Sequence, residues 1–219
     1  MPTCFLGVLT EWVSTWLWES LRIVGEDNWI EEAIQDRNCL DVNNGLYMKE
    51  LYPDLCSAGL DLECSKGRGN IFGFLPEQLV AEGAYRGELL GLMAIHLILL
   101  TVNTVSPTLQ GRAQIYSECL GALGTVATLP TNCIPCRCKH SYILKNIMVN
   151  CQNLTFACSY SHVKANQDDD MDYQYLSCPY QLNCIMDDHA KKVIWGLEVL
   201  HLPTQEIFPL ELVAIFVGH

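Results

Sequence analysis

The apolar run from Leu89 to Val105 constrains this chain more than any other feature. It carries His96 and Asn103 and only reaches the roughly 17-residue lower limit for crossing a bilayer. Glu88, Leu92, Ile95 and Leu99 fall at i, i+4, i+7 and i+11, so one helix face is apolar with a carboxylate at its N-terminal end. The run therefore reads as a core helix rather than a membrane span, and the rest of the chain must supply the surfaces that bury it. With 219 residues, half of them apolar, the chain is long enough to do so.

The flanking segments read as strands and shorter helices. Leu9 to Val24 and Trp29 to Asp36 have amphipathic helical patterns, with Trp12, Trp16 and Leu21 able to share a face. Strands are expected at Cys39 to Val42, Leu55 to Cys64 and Asn70 to Phe74, separated by Tyr52-Pro53-Asp54 and Lys66-Gly67-Arg68-Gly69. Three adjacent strands imply an antiparallel meander. The long helix then runs from about Glu82 to Asn103 and stops before Ser106-Pro107. Beyond it come a strand at Ala113 to Tyr116, a helix at Ile143 to Asn150, a strand at Leu154 to Tyr160 and a helix from Leu182 to Leu197. The order is that of an α/β domain: a mixed five-stranded sheet, the meander plus parallel strands, with helices on both faces. The expected division is a helical extension over 1–37, the domain over 38–197 and a tail over 198–219.

A net charge of −12 and a pI near 4.8 argue against a general polyanion binder, because Lys and Arg drive phosphate binding. The twelve cysteines are scattered from Cys4 to Cys184 and form no regular disulfide framework. Met-Pro-Thr at the start lacks a basic n-region, so reduced thiols and an intracellular setting are expected. Cys133, Cys136, Cys138 and His140 could supply soft ligands to zinc. Structural zinc sites usually take their second ligand pair from a separate knuckle, whereas these four lie within eight residues. This metal module is kept as an alternative.

Four motifs in order carry a further reading. Asn43-Asn44-Gly45-Leu46 ends the first strand of the meander, and Ala84-Tyr85-Arg86-Gly87-Glu88-Leu89 opens the long helix. Tyr116-Ser117-Glu118-Cys119-Leu120-Gly121-Ala122-Leu123 follows the fourth strand, and Asn183-Cys184-Ile185-Met186-Asp187-Asp188-His189-Ala190 opens the last helix. Together they resemble the ribonuclease H domain of retroelement reverse transcriptases, over roughly Asn38 to Trp195. The resemblance places Glu88, Glu118 and Asp187 at metal-ligand positions, Asn44 at the position of the first catalytic Asp, and Asn166 where a loop His is usual. It implies hydrolysis of RNA in RNA–DNA hybrids with Mg²⁺ or Mn²⁺.

That chemistry makes the departures informative. Two Mg²⁺ ions about 4 Å apart activate water and stabilise the leaving oxygen. Each requires hard anionic oxygen at about 2.1 Å. In the family the first Asp bridges both ions, whereas Asn44 offers one neutral carbonyl oxygen and an amide nitrogen that cannot coordinate. Glu118 keeps the charge but is one methylene longer, and a displacement of about 1 Å in a preorganised site costs on the order of a hundredfold. Strand alternation turns Asp41 to the opposite face from Asn44, so it cannot substitute. The expectation is an impaired or lost nuclease, with a non-catalytic remnant or interaction protein as the alternative.

Overall fold

The computed structural model describes residues 5–12, 17, 20–26, 28–47, 55–78, 83–128, 134 and 138–195. The helices are α1 (Phe5–Trp12), α2 (Trp29–Gln35), α3 (Ala84–Val105), α4 (Leu120–Thr128), α5 (Ser141–Gln152) and α6 (Cys178–Trp195). The strands are β1 (Leu21–Gly25), β2 (Cys39–Tyr47), β3 (Leu55–Cys64), β4 (Gly69–Gln78), β5 (Arg112–Ser117) and β6 (Ala157–His162). They form one sheet in the order β1-β4-β3-β2-β5-β6. Pairing is antiparallel from β1 through β4 and β3 to β2, and parallel from β2 through β5 to β6. The mixed sheet with an antiparallel meander matches the sequence expectation, with six strands in place of five.

The sixth strand is β1, which falls inside the segment expected to remain helical as far as Val24. Its Ile23 and Val24 are β-branched and suit a strand, and the otherwise open edge of β4 supplies a partner, with Ile23 opposite Ile71. Leu9, Leu17, Trp29, Ile30 and Ile34 belong to the same buried cluster as the sheet. The segment expected to form the 1–37 extension thus shares the central core. The tail over 198–219 lies outside the described residues. Helix α4 was not anticipated.

Helices cover both faces. Helix α3 packs across β2 and β3 together with α5 and α1, and α6 packs on the other face against β2, β3 and β4. By length and composition α3 could span a bilayer, but most of it is buried within the fold. Its polar residues His96 and Asn103 are held by protein partners. Leu92 O can only accept, so the His96 Nδ1–H donates to it at 2.6 Å, which leaves Nε2 to accept from Tyr160 Oη at 2.8 Å. Burial pushes His96 down to about 4, so the imidazole stays neutral. Asn103 Nδ2 donates to Asn153 O, while its Oδ1 accepts from Thr155 N–H and Oγ1–H. These partners are fixed protein groups that a lipid environment could not provide.

The C-terminal end of β2 is built for close approach. A Cβ at Gly45 would lie 2.4 Å from Glu88 N and 2.8 Å from Ala84 O, and one at Gly87 would lie 2.7 Å from Ser57 O. Only glycine at these positions lets α3 settle directly onto β2 and β3, which brings the first turn of α3 to the strand end.

Candidate active site

Strand alternation divides the end of β2 between two faces. Asn43 and Gly45 turn toward α3 and contact Glu88. Asn44 lies on the α6 face and is 1% exposed. Asn43 and Ser117 are the last pair of the parallel β2/β5 ladder, and Asn44 and Glu118 are the residues that follow them.

Glu88 sits at the opening of α3, 3% exposed. Its Oε2 accepts from Asn43 Nδ2 at 2.8 Å and from Ser117 Oγ at 2.9 Å, and its Oε1 accepts from Gly45 N–H at 2.9 Å. All three donors are neutral. Burial pushes Glu88 up to about 8, beyond what these hydrogen bonds recover, and the nearby Glu118 adds to the rise. The side chain links β2, β5 and α3 from within the protein.

Glu118 follows β5 and is only partly buried. Asn183 Nδ2 of α6 approaches its Oε2 at 3.5 Å, at the limit of a hydrogen bond. Burial holds Glu118 above the usual carboxylate range, reinforced by Asp187, while Asn183, His162 and Lys191 act in the opposite direction. Asp187 lies one turn further along α6, where its Oδ2 is paired with Lys191 at i+4. Glu118 thus faces carboxylates from both α3 and α6, and the structure brings Asn44, Glu88, Glu118 and Asp187 to one end of the sheet.

Asn166 is placed differently. It is exposed, with φ 51°, and precedes the short 3₁₀ turn Gln167–Asp169, where its carbonyl accepts from Asp169 N–H. The imidazole at the site rim is instead that of His162, whose Nε2 lies 3.1 Å from Glu118 O. Sequence reasoning missed it, although it ends a strand that runs parallel to the strand preceding Glu118. Of the cysteine-rich segment, Cys133 and Cys136 lie outside the described residues. Cys138 is exposed, whereas His140 is buried, with its ring against Tyr85 and Nδ1 3.5 Å from Arg86 Nη1.

This sheet order, with helices on both faces, is the ribonuclease H-like fold. No family model and no curated protein matches the sequence. Among solved structures, the ribonuclease H domain of PFV matches with a TM-score of 0.52 at 12% identity, covering 73% of this chain and 95% of that one. The protease-reverse transcriptase of prototype foamy virus matches with a TM-score of 0.50 at 15% identity, covering 71% of this chain. The match spans 20% of that longer protein. At these identities the likeness establishes the fold alone.

The donor set does not fit a pair of divalent cations. Both oxygens of Glu88 are engaged by protein donors. Asn44 Nδ2 is buried without a hydrogen-bond partner, where a bridging ligand would need a second anionic oxygen. Among the described residues, no three His, Cys, Asp or Glu side chains are grouped to hold a metal ion.

Proposed function

We propose that this chain carries a retroelement-derived ribonuclease H domain, which includes β1 as well as the elements after position 38 and acts in an intracellular setting, whose hydrolysis of RNA in RNA–DNA hybrids is disabled. The observation that carries this reading is Asn44, buried in the C-terminal half of the central strand β2, where the resemblance calls for the shared carboxylate. The closed hydrogen-bonding of Glu88 supports the same conclusion, because a ligand enclosed by neutral donors must first break those bonds to bind a cation. What remains is a fold able to meet a hybrid by shape, on a chain whose charge of −12 opposes tight phosphate binding.

The test is cleavage of a labelled RNA–DNA hybrid in Mg²⁺ or Mn²⁺ by the natural chain and by an Asn44→Asp, Glu118→Asp double variant. The natural chain should be inert and the double variant should cut. Cleavage by the natural chain would overturn the disabled reading. Failure of both would withdraw support from the carboxylate assignment.

A further inference from the structure

We propose that Cys39 and Cys64 form a peroxide-driven disulfide across the two central antiparallel strands. The two residues are directly opposed in the β2/β3 register. Just outside this pair, Ser65 N–H donates to Asn38 O at 2.9 Å, which makes Asn38/Ser65 the hydrogen-bonded pair of the ladder. Bonded and non-bonded pairs alternate in an antiparallel ladder, so Cys39/Cys64 is a non-bonded pair. Such pairs have the closer Cα separation, about 4.5 Å, which falls within the range a disulfide spans. Both side chains project to the same face and both residues are fully buried, so the sulfurs share one enclosed space.

The two thiols are chemically unequal. Arg68 Nε approaches Cys64 Sγ at 3.5 Å from the β3–β4 turn, and the Arg68 guanidinium is itself anchored by Asp36 and Glu32 of the α2 region. Burial pushes the Cys64 thiol up, but the Arg68 hydrogen bond and the backbone N–H groups of Lys66 and Arg68 outweigh it and hold the thiol below its ordinary value. Cys39 lies deeper: burial, with Asp41 beside it, holds its thiol well above the ordinary value. Cys64 is therefore the attacking sulfur and Cys39 the resolving one. The Arg68 side chain is about a third exposed and marks the approach from solvent.

The steps balance with hydrogen peroxide as oxidant. Cys64 thiolate attacks one peroxide oxygen, the O–O bond breaks, and the departing hydroxide takes a proton and leaves as water. The Cys39 sulfur then attacks the sulfenic sulfur of Cys64, the S–S bond forms and the S–O bond breaks. The proton from Cys39 leaves with that oxygen as a second water. Two thiols lose two electrons in total, and one peroxide becomes two waters.

The full natural chain is treated with hydrogen peroxide, free thiols are blocked with N-ethylmaleimide, and the protein is digested and mapped by mass spectrometry without reduction. The expected product is a Cys39–Cys64 linked peptide as the dominant disulfide, and Arg68→Gln should slow its appearance several-fold. The oxidised chain should melt at a higher temperature than the reduced chain, with the difference abolished by reductant. Recovery of Cys39 and Cys64 as maleimide adducts while exposed Cys138 is oxidised would overturn the proposal. So would disulfides spread over other cysteines, or a rate unchanged by Arg68→Gln.

Discussion

The two sides of the β2 terminus have opposite chemistry. On the α3 side, Glu88 is enclosed by Asn43, Gly45 and Ser117, and every group meeting its oxygens is neutral. On the α6 side, Glu118 and Asp187 are partly open to solvent, with the His162 imidazole near Glu118 and the Lys191 ammonium paired with Asp187. One face has turned a carboxylate into a structural joint, and the other has kept charge at the surface without the central ligand that would organise it. Carboxylates gathered at one strand end can therefore perform two unrelated tasks, and burial with donor identity decides which.

The largest expected effect comes from breaking the joint. Gly45→Ala places a methyl group against the backbone of α3, and denaturant titration should report a loss of about 4 kcal/mol. A loss under about 1 kcal/mol would mean that α3 does not rest on β2 as described.

Glu88→Gln sharpens the contrast through pH. Burial raises the folded carboxyl to about 8 from an ordinary 4.5. Between these values the unfolded chain releases a proton that the folded chain retains, so the contribution of Glu88 to stability falls as pH climbs through that window and then levels off. The protonated carboxyl can donate to Ser117 Oγ and still accept from the other donors, whereas the NH₂ of Gln meets Gly45 N–H or Asn43 Nδ2 donor to donor, so the variant should be weaker by about 2 kcal/mol at pH 5, with the gap narrowing toward pH 8. Parallel stability curves across this range would show that the folded carboxyl is already ionised.

Smaller effects belong to the α6 side. Glu118→Gln and Asp187→Asn should each change stability by about 1 kcal/mol or less, since both carboxylates are partly hydrated. Lys191→Met should change it least, by about 0.3 kcal/mol, because an exposed i,i+4 pair contributes little. Thermal melts at low and high salt would check both. A cost above about 2 kcal/mol for either acid would erase the distinction between the faces.

Most of the sheet was legible because its signals are local. The β3–β4 hairpin turns where Gly67 takes φ +71°, and Cys39 and Leu55 each begin a strand near the expected residue. The long helix declared itself by its period. What escaped notice depends on partners distant in sequence. Strand β1 exists because β4 has an edge to cover, and His162 is brought to the rim by the pairing of β6 with β5. The enclosure of Glu88 could not be read either, because it depends on Ser117 and Gly45 from separate strands. Asp61 sits inside β3, 4% exposed with Oδ1 buried and unbonded, and burial pushes it up to about 7. Desolvation, reinforced by Glu63, keeps it largely protonated at low pH rather than ionised in the interior.

Strand β1 also has a consequence in time. During synthesis Leu21–Gly25 emerges well before Gly69–Gln78, the strand that it pairs with, so it must wait for nearly the whole meander to appear. Local helices can form during that interval, but this β-branched segment cannot reach its hydrogen-bonding partner. Even after docking, Ile23 and Val24 remain at the sheet margin, where another unpaired strand could add. A strand among the first made thus waits for the third strand of the meander, and slow elongation between the two would prolong the chain's exposure to aggregation.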